Sequence, residues 1–149
     1  MTKAKASRTW KAREEDLPQV AKEACQLLAP FDPKPFILWL KGDLGAGKTT
    51  FARELLRQFG VPKTIPVLSP TFTYMTEYET PGGLMAHMDL YRLIDGDEDS
   101  VEMLLSGRNF RGLIIEWPER TPHSPFIQKT HEISISATDD DLVRLIELT

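Results

Sequence analysis

The sequence is poor in cysteine, in long apolar runs and in net positive charge. Its 149 residues include one cysteine, Cys25, so no internal disulfide can form, which is typical of a reducing compartment. No apolar run reaches the roughly 18 residues of a membrane-spanning helix, and no signal-peptide segment is evident. We therefore expect a cytoplasmic protein without membrane contact.

Positive charge is concentrated at the N-terminus of an otherwise acidic chain. The formal net charge of −4 at pH 7 argues against a broad basic surface for nucleic acids or anionic membranes. Residues 1–13 are the exception, with five lysines or arginines and no acid. We expect them to form a basic arm outside a single domain of residues 14–149. Such an arm is either a solvated tail or a contact for RNA or an acidic partner.

Hydrophobic periodicity predicts an α/β fold for this one-domain length. Apolar residues three and four apart mark amphipathic helices, and short apolar runs such as 36–40 are typical of strands covered on both faces. Helices are predicted over 14–29, 49–59 and 98–105, and strands over 36–40, 71–78, 84–90, 112–116, 131–137 and 142–148. The order favours a central sheet flanked by helices, as in P-loop NTPases, with antiparallel pairs at 71–90 and 131–148.

Glycines cluster in "KGDLGAGKTTF", Lys41 to Phe51, between a predicted strand and a predicted helix. The stretch fits the phosphate-binding pattern G-x-x-x-x-G-K-[ST], and its context supports the match. Backbone N–H groups of such a loop surround phosphate, Lys48 would reach the β and γ phosphates, and the Thr49 hydroxyl would bind Mg²⁺. The alternative is a simple glycine turn. The matching residues are Gly42, Asp43, Leu44, Gly45, Ala46, Gly47, Lys48 and Thr49.

Acidic residues at predicted strand ends are candidates for catalysis. Glu116 ends a buried strand, where it could hold Mg²⁺ directly or through water, or orient an attacking water; alternatively it pairs with Arg111 or Arg120. His87 and Asp89 share one face of a strand. Asp89 could orient water near the metal, but a structural His87–Asp89 hydrogen bond or a zinc site is also open.

Hydroxyl groups follow another short apolar stretch, in "SPTFT" from Ser69 to Thr73. A segment that senses the γ-phosphate would lie at such a position. The alternative is a turn capped by Ser69 and Pro70. The sequence leaves the choice between these two interpretations open.

Three nucleotide-dependent classes compete with an ATPase. A GTPase switch needs an Asn/Thr-Lys-x-Asp element, and the one asparagine, Asn109, is followed by phenylalanine. A small-molecule kinase needs a lid with arginines, for which Arg108 and Arg111 are candidates. A non-hydrolysing, nucleotide-dependent binding module is the third class. The kinase and the binding module stay open as alternatives.

Four blocks, "GDLGAGKTTF", "SPTFTYMTEY", "HMDLYRL" and "IIEWPER", occur in this order and together closely resemble the TsaE family. The family comprises bacterial P-loop ATPases that serve biosynthesis of the tRNA modification N6-threonylcarbamoyladenosine. The similarity covers about residues 17–148. It implies Mg²⁺-dependent ATP hydrolysis that drives turnover of a complex with TsaD and TsaB, where TsaD modifies adenosine 37 of tRNA. Contact with tRNA is then expected through the complex.

The resemblance also implies roles for single residues. Gly45 to Thr50 hold phosphate, and Thr49 and Glu116 bind Mg²⁺. Asp89 is needed for hydrolysis, together with Lys48 and Glu116. Arg144, in "VRLIEL", matches a late arginine near the nucleotide. The threonine usual just before the first helix is not evident, and Thr9 and Asp16 are its poor substitutes.

Overall fold

One seven-stranded sheet runs through residues 7–28 and 34–149, the part of the chain that the computed structural model describes. The helices are α1 (Leu17–Leu28), α2 (Lys48–Phe59) and α3 (Glu98–Leu105). The strands are β1 (Arg8–Ala12), β2 (Phe36–Lys41), β3 (Met75–Thr80), β4 (Gly83–Asp89), β5 (Gly112–Glu116), β6 (His131–Ala137) and β7 (Arg144–Leu148). Short 3-10 turns lie at Glu14–Asp16 and Pro118–Arg120. The predicted α/β fold with a flanked central sheet is confirmed.

The strand order is β1-β7-β6-β2-β5-β4-β3, in which the central strands are parallel and the outer strands are antiparallel to their neighbours. Strand β2 pairs in parallel with β5 and β6, and β5 pairs in parallel with β4. The antiparallel pairs are β3 with β4, β6 with β7 and β1 with β7. The carboxyl ends of β2, β4 and β5 therefore meet at one edge of the sheet, where ligands of parallel α/β sheets bind.

Apolar side chains cover both faces of β2. Leu38 and Leu40 belong to the core cluster that contains α1 and α2, whereas Trp39 belongs to the cluster on the opposite face with Val101 of α3. Helix α2 is anchored by a fully buried stripe that includes Leu55. Burial of one such leucine contributes about 1.5–3 kcal/mol. The start of α2 is thus held firmly against the edge of the sheet.

Residues 8–12 contradict the prediction of a basic arm before residue 14. They form β1, which pairs with β7 from Arg8 opposite Leu148 to Ala12 opposite Arg144. Trp10 and Ala12 are buried, and the Trp10 Nε1–H donates to Glu23 at 3.0 Å. The cations of this strand, Arg8 and Lys11, are exposed to solvent. Trp10 and Ala12 are two residues apart and so share one face, a strand pattern that the many charges of the segment obscured. Residues 1–6 of the predicted arm lie outside the described part of the chain.

Strand β3 begins at Met75, four residues later than predicted. Residues 71–73 form a turn instead, and Tyr74 has a φ of 65°, in the left-handed region that extended strands do not use. The hydroxyl-rich segment from Ser69 to Thr73 is therefore a loop at the edge of the sheet. None of the helices in residues 7–28 and 34–149 has the length and apolarity to cross a membrane.

Replacing Trp10 with alanine should lower the free energy of unfolding by about 3 kcal/mol, because a large buried side chain and its hydrogen bond are lost. Lys11→Ala is the matched control, since Lys11 is exposed on the same strand and should change stability by about 0.5 kcal/mol or less. Urea unfolding of both variants measures this. Equal midpoints for the two variants would show that β1 contributes nothing to the domain.

Candidate functional site

Glycines shape the loop that joins β2 to α2. A Cβ on Gly42 would lie 2.7 Å from the Ile135 carbonyl oxygen, so the chain leaves β2 in close contact with β6. Gly47 has a φ of 100° and immediately precedes α2, and its carbonyl accepts from the Phe51 N–H at 2.9 Å. Glycine is favoured at that φ. The loop thereby places the N-terminus of α2 at this edge of the sheet, and the free N–H groups of a helix N-terminus favour an anion.

Lys48 is buried, with 5% of its surface exposed. Its ammonium donates to the Gly42 carbonyl at 2.5 Å and lies 3.4 Å from the centroid of the Trp117 ring. Burial lowers the pKa of Lys48 below its usual 10.5, while the nearby carboxylate of Glu116 opposes that change most strongly. The two direct partners of the ammonium, a carbonyl and an aromatic face, carry no formal charge. The ammonium can therefore attract an anion that enters beside the loop.

Glu116 connects three elements at the sheet edge. Its two carboxylate oxygens lie 3.1 and 3.2 Å from the Thr49 hydroxyl, at the start of α2. One of them is also 2.5 Å from Nε2 of His87 on β4. Glu116 itself is 2% exposed. Because Glu116 accepts hydrogen bonds from both neighbours, its carboxylate is held in one orientation beside the loop.

The candidate arginine partners of Glu116 lie elsewhere. Arg120 pairs with Asp95 at 3.1 Å, and Arg111 lies over the Phe59 ring, 4.9 Å from its centroid. The alternative in which either arginine pairs with Glu116 is therefore wrong. Arg108, a candidate for a kinase lid, forms an ion pair with Glu77 of β3. Neither Arg108 nor Arg111 lines the cleft that holds Glu116.

Asp89 binds the hydroxyl-rich loop rather than its neighbour His87. One oxygen of its carboxylate accepts from the Ser69 hydroxyl at 2.5 Å, and the other accepts from the Tyr91 N–H at 2.9 Å. The Ser69 hydroxyl also lies 3.0 Å from that of Thr71. A structural His87–Asp89 pair is thus not formed, because His87 bonds Glu116. The Ser69–Thr73 loop is instead linked directly to a candidate catalytic acid.

The oxygens of Thr49 and Glu116 suit magnesium better than zinc. They are adjacent hard donors at a site that also faces the phosphate-type loop, and Mg²⁺ binds through few protein oxygens, phosphate and water. Zinc sites use several histidine, cysteine or carboxylate ligands. Within residues 7–28 and 34–149 no three such side chains come together. The donor set therefore fits Mg²⁺ held jointly with a phosphate ligand.

Two of the cavities that border the loop share part of its lining. The first has a volume of about 470 Å³ and is called the acidic cleft here because Asp89 and Glu116 lie in it. It is lined by Leu44, Gly45, Gly47, Lys48, Thr49, Thr50, Ser69, Thr71, Asp89, Tyr91, Arg92, Glu116 and Trp117. The other, about 380 Å³, is lined by Ala12, Arg13, Glu14, Glu15, Leu17, Gly45, Ala46, Gly47, Thr50, Phe51, Ile135, Asp141, Leu142, Arg144 and Ile146. Gly45, Gly47 and Thr50 border both. A molecule bound at the loop could extend from the acidic cleft into the second cavity.

The structure brings together nearly all the residues that the sequence singled out. Lys48, Thr49, Asp89 and Glu116 share the acidic cleft. Arg144 lies across the loop on the wall of the second cavity, where its guanidinium donates to the Asp141 carbonyl at 2.8 Å. The Asp43 carbonyl accepts from the Ala46 N–H at 3.0 Å and so closes the turn of the loop.

Trp117 is a residue of the cleft that the sequence analysis did not single out. Its backbone is left-handed, with φ 58° and ψ 47°, which is unusual for a bulky residue. Its ring contacts the Lys48 ammonium and lies 5.0 Å from the ring of Tyr91. In the sequence, Trp117 is distinguished by its place between the strand-end acid Glu116 and Pro118. Trp117 and Tyr91 together form an aromatic part of the cleft wall.

Comparisons with known proteins find a matching family model, related sequences and a similar solved structure. A family model described as "Threonylcarbamoyl adenosine biosynthesis protein TsaE" matches residues 11–146. Two relatives named tRNA threonylcarbamoyladenosine biosynthesis protein TsaE are similar to this chain. The one from Aquifex aeolicus is 42% identical over 72% of this chain and 73% of its own length, and that from Rickettsia bellii is 36% identical over 96% and 94%. The crystal structure of Bacillus subtilis YdiB superposes with a TM-score of 0.69 and 26% identity, covering 99% of this chain and 87% of YdiB.

Replacing Lys48 with methionine should change how stability depends on pH. The folded pKa of Lys48 is lowered, so between that value and 10.5 the unfolded chain binds more protons and wild-type stability rises with pH. Lys48→Met should lack this contribution. Urea unfolding across that alkaline range measures it, with exposed Lys63→Met as the control. A Lys48→Met curve parallel to the wild type would contradict the assignment of a buried cation.

Proposed function

The chain belongs to the TsaE family of tRNA threonylcarbamoyladenosine biosynthesis proteins, and on this premise we propose that it is a Mg²⁺-dependent ATPase. The observation that carries the proposal is that Lys48, Asp89 and Glu116 line one cleft at the carboxyl edge of the sheet. A cation for phosphate, a carboxylate beside a metal-binding hydroxyl and a second buried acid are groups that serve hydrolysis of the terminal phosphoanhydride bond of ATP.

The loop and Lys48 would bind the triphosphate. Backbone N–H groups at the start of α2 point toward the cleft, and a phosphate would draw the Lys48 ammonium from the Gly42 carbonyl to form charge-assisted hydrogen bonds. The second cavity has room for the base and ribose and is bordered by Arg144. Its position directly across the loop supports a nucleotide rather than a free phosphate as the ligand.

Thr49 and Glu116 would hold the magnesium ion. The Thr49 hydroxyl donates a hydrogen bond to Glu116, so its lone pairs are free to face a metal. Bound Mg²⁺ would neutralise negative charge on the phosphate oxygens. Glu116 is held in one orientation on the protein side, because it is buried and accepts hydrogen bonds from two donors.

Asp89 would orient the attacking water. Its carboxylate is 4% exposed, lines the cleft and is fixed by the Ser69 hydroxyl and the Tyr91 N–H. A carboxylate in this position can accept a hydrogen bond from water and align it with the terminal phosphate. The link to Ser69 means that a change at the γ-phosphate would also move the Ser69–Thr73 loop.

Within the threonylcarbamoyladenosine pathway, ATP hydrolysis would drive turnover of a complex with TsaD and TsaB. The family membership supports this role, and the acidic balance of the chain fits contact with tRNA through the complex rather than through a broad basic surface. The proposed setting is the cytoplasm, where the tRNA substrate is found.

Glu116→Gln and Asp89→Asn should each reduce phosphate release from ATP by about 10–100-fold while ATP still binds, because charge is lost with little change in shape. The control is Glu147→Gln, the same replacement at an exposed position of β7. Release is measured for each protein alone and with TsaD and TsaB, and the wild-type rate should rise with the partners.

Three results of that assay would contradict the proposal. Full activity in both variants would place the catalytic acids elsewhere. Absence of phosphate release by the wild type, alone and with the partners, would indicate a binding module. Transfer of phosphate to an added small acceptor would indicate a kinase.

A further inference from the structure

His87 is a buried polar residue that enters the mechanism above only as one of the two hydrogen-bond donors to Glu116. It lies on β4 with none of its surface exposed, and its Nε2 is 2.5 Å from a carboxylate oxygen of Glu116. Its Nδ1 is buried and has no hydrogen-bond partner among the described residues. We propose that His87 is a positioning residue that fixes the Glu116 carboxylate and, through it, the Thr49 hydroxyl for Mg²⁺. This inference rests on the proposed function.

The strand register places His87 and Glu116 as diagonal neighbours. In the parallel pairing of β4 with β5, His87 is opposite Ile114 and Asp89 is opposite Glu116. Side chains two residues apart on a strand share a face, so His87, Ile114 and Glu116 all point to the same side. That side is covered by α2, because Ile114 belongs to the core cluster that contains its apolar residues. His87 therefore contacts Glu116 on the face of the sheet that α2 covers.

The hydrogen bonding assigns the proton of the imidazole. A carboxylate accepts, so Nε2 carries the hydrogen that faces Glu116. The opposite tautomer would place an unpartnered N–H at the buried Nδ1 and a lone pair against the carboxylate, and both are costly. The protein environment thus keeps a donor pointed at Glu116. A side chain that merely filled this space would not need one.

Three side chains then form a continuous hydrogen-bonded chain from β4 to α2. His87 donates a hydrogen bond to one carboxylate oxygen of Glu116. Both oxygens of that carboxylate accept from the Thr49 hydroxyl. Without the His87 donor, the carboxylate could rotate about its side-chain bonds and release the hydroxyl. The metal-binding lone pairs of Thr49 would lose their fixed direction. The loop and Lys48 would still be able to bind phosphate, because the hydrogen bond of His87 goes to Glu116 and that of Lys48 to Gly42.

The test separates magnesium-dependent from magnesium-independent nucleotide binding. His87→Met removes the donor, and His87→Gln has a similar length but retains an N–H. Calorimetry measures binding of a non-hydrolysable ATP analogue to each purified variant with and without Mg²⁺. In His87→Met we expect affinity without Mg²⁺ to stay within about twofold of wild type, while the gain from Mg²⁺ falls about tenfold or more. His87→Gln should recover most of that gain.

Further measurements keep the outcome unambiguous. Thermal unfolding checks that each variant is folded, and His87→Phe provides a second donor-free side chain if the methionine variant is not. An equal gain from Mg²⁺ in wild type and a folded donor-free variant would overturn the role of His87 while leaving the proposed function intact. Equal losses in the methionine and glutamine variants would reduce His87 to a packing residue. Failure of the wild type to bind the analogue would overturn both proposals.

Discussion

Parallel pairing of β2, β4 and β5 is the constraint on which the site depends. It brings the carboxyl ends of the three strands to one edge, so that Asp89 and Glu116 lie opposite each other beside the loop after β2. The apolar stripe of α2 then holds the N-terminus of that helix against the same edge. Residues far apart in the chain are thereby placed within hydrogen-bond distance of one another.

The arrangement costs stability, because it buries charge. Lys48, Asp89 and Glu116 are all buried, and burial of a charged group is unfavourable unless partners replace water. The two acids have such partners in hydroxyls, N–H groups and an imidazole. Lys48 has a carbonyl and an aromatic ring, and its lowered pKa records an incomplete replacement. A bound triphosphate would complete it, which is how a destabilised cation contributes to binding.

Much of this could be predicted from local pattern, but the side-chain pairings could not. The loop motif, α3 and β5 are specified by short stretches, and their predicted bounds agree with the structure. The His87–Glu116 bond depends on the register between two strands and could not be derived from either alone. The contact between Trp117 and Lys48 likewise joins segments far apart in the chain. Strand β1 was not predicted, because its apolar pattern consists of two residues, Trp10 and Ala12, among many charges.

The central claim is that the loop and Lys48 bind the phosphates of ATP, and equilibrium titration of ATP into wild type and Lys48→Ala tests it most directly. Loss of a charge-assisted contact should weaken binding by about 1.5–3 kcal/mol, or roughly 10–100-fold, with the fold retained. Equal ATP affinity in the two proteins would contradict the account, because the cation of the cleft would then have no part in binding phosphate.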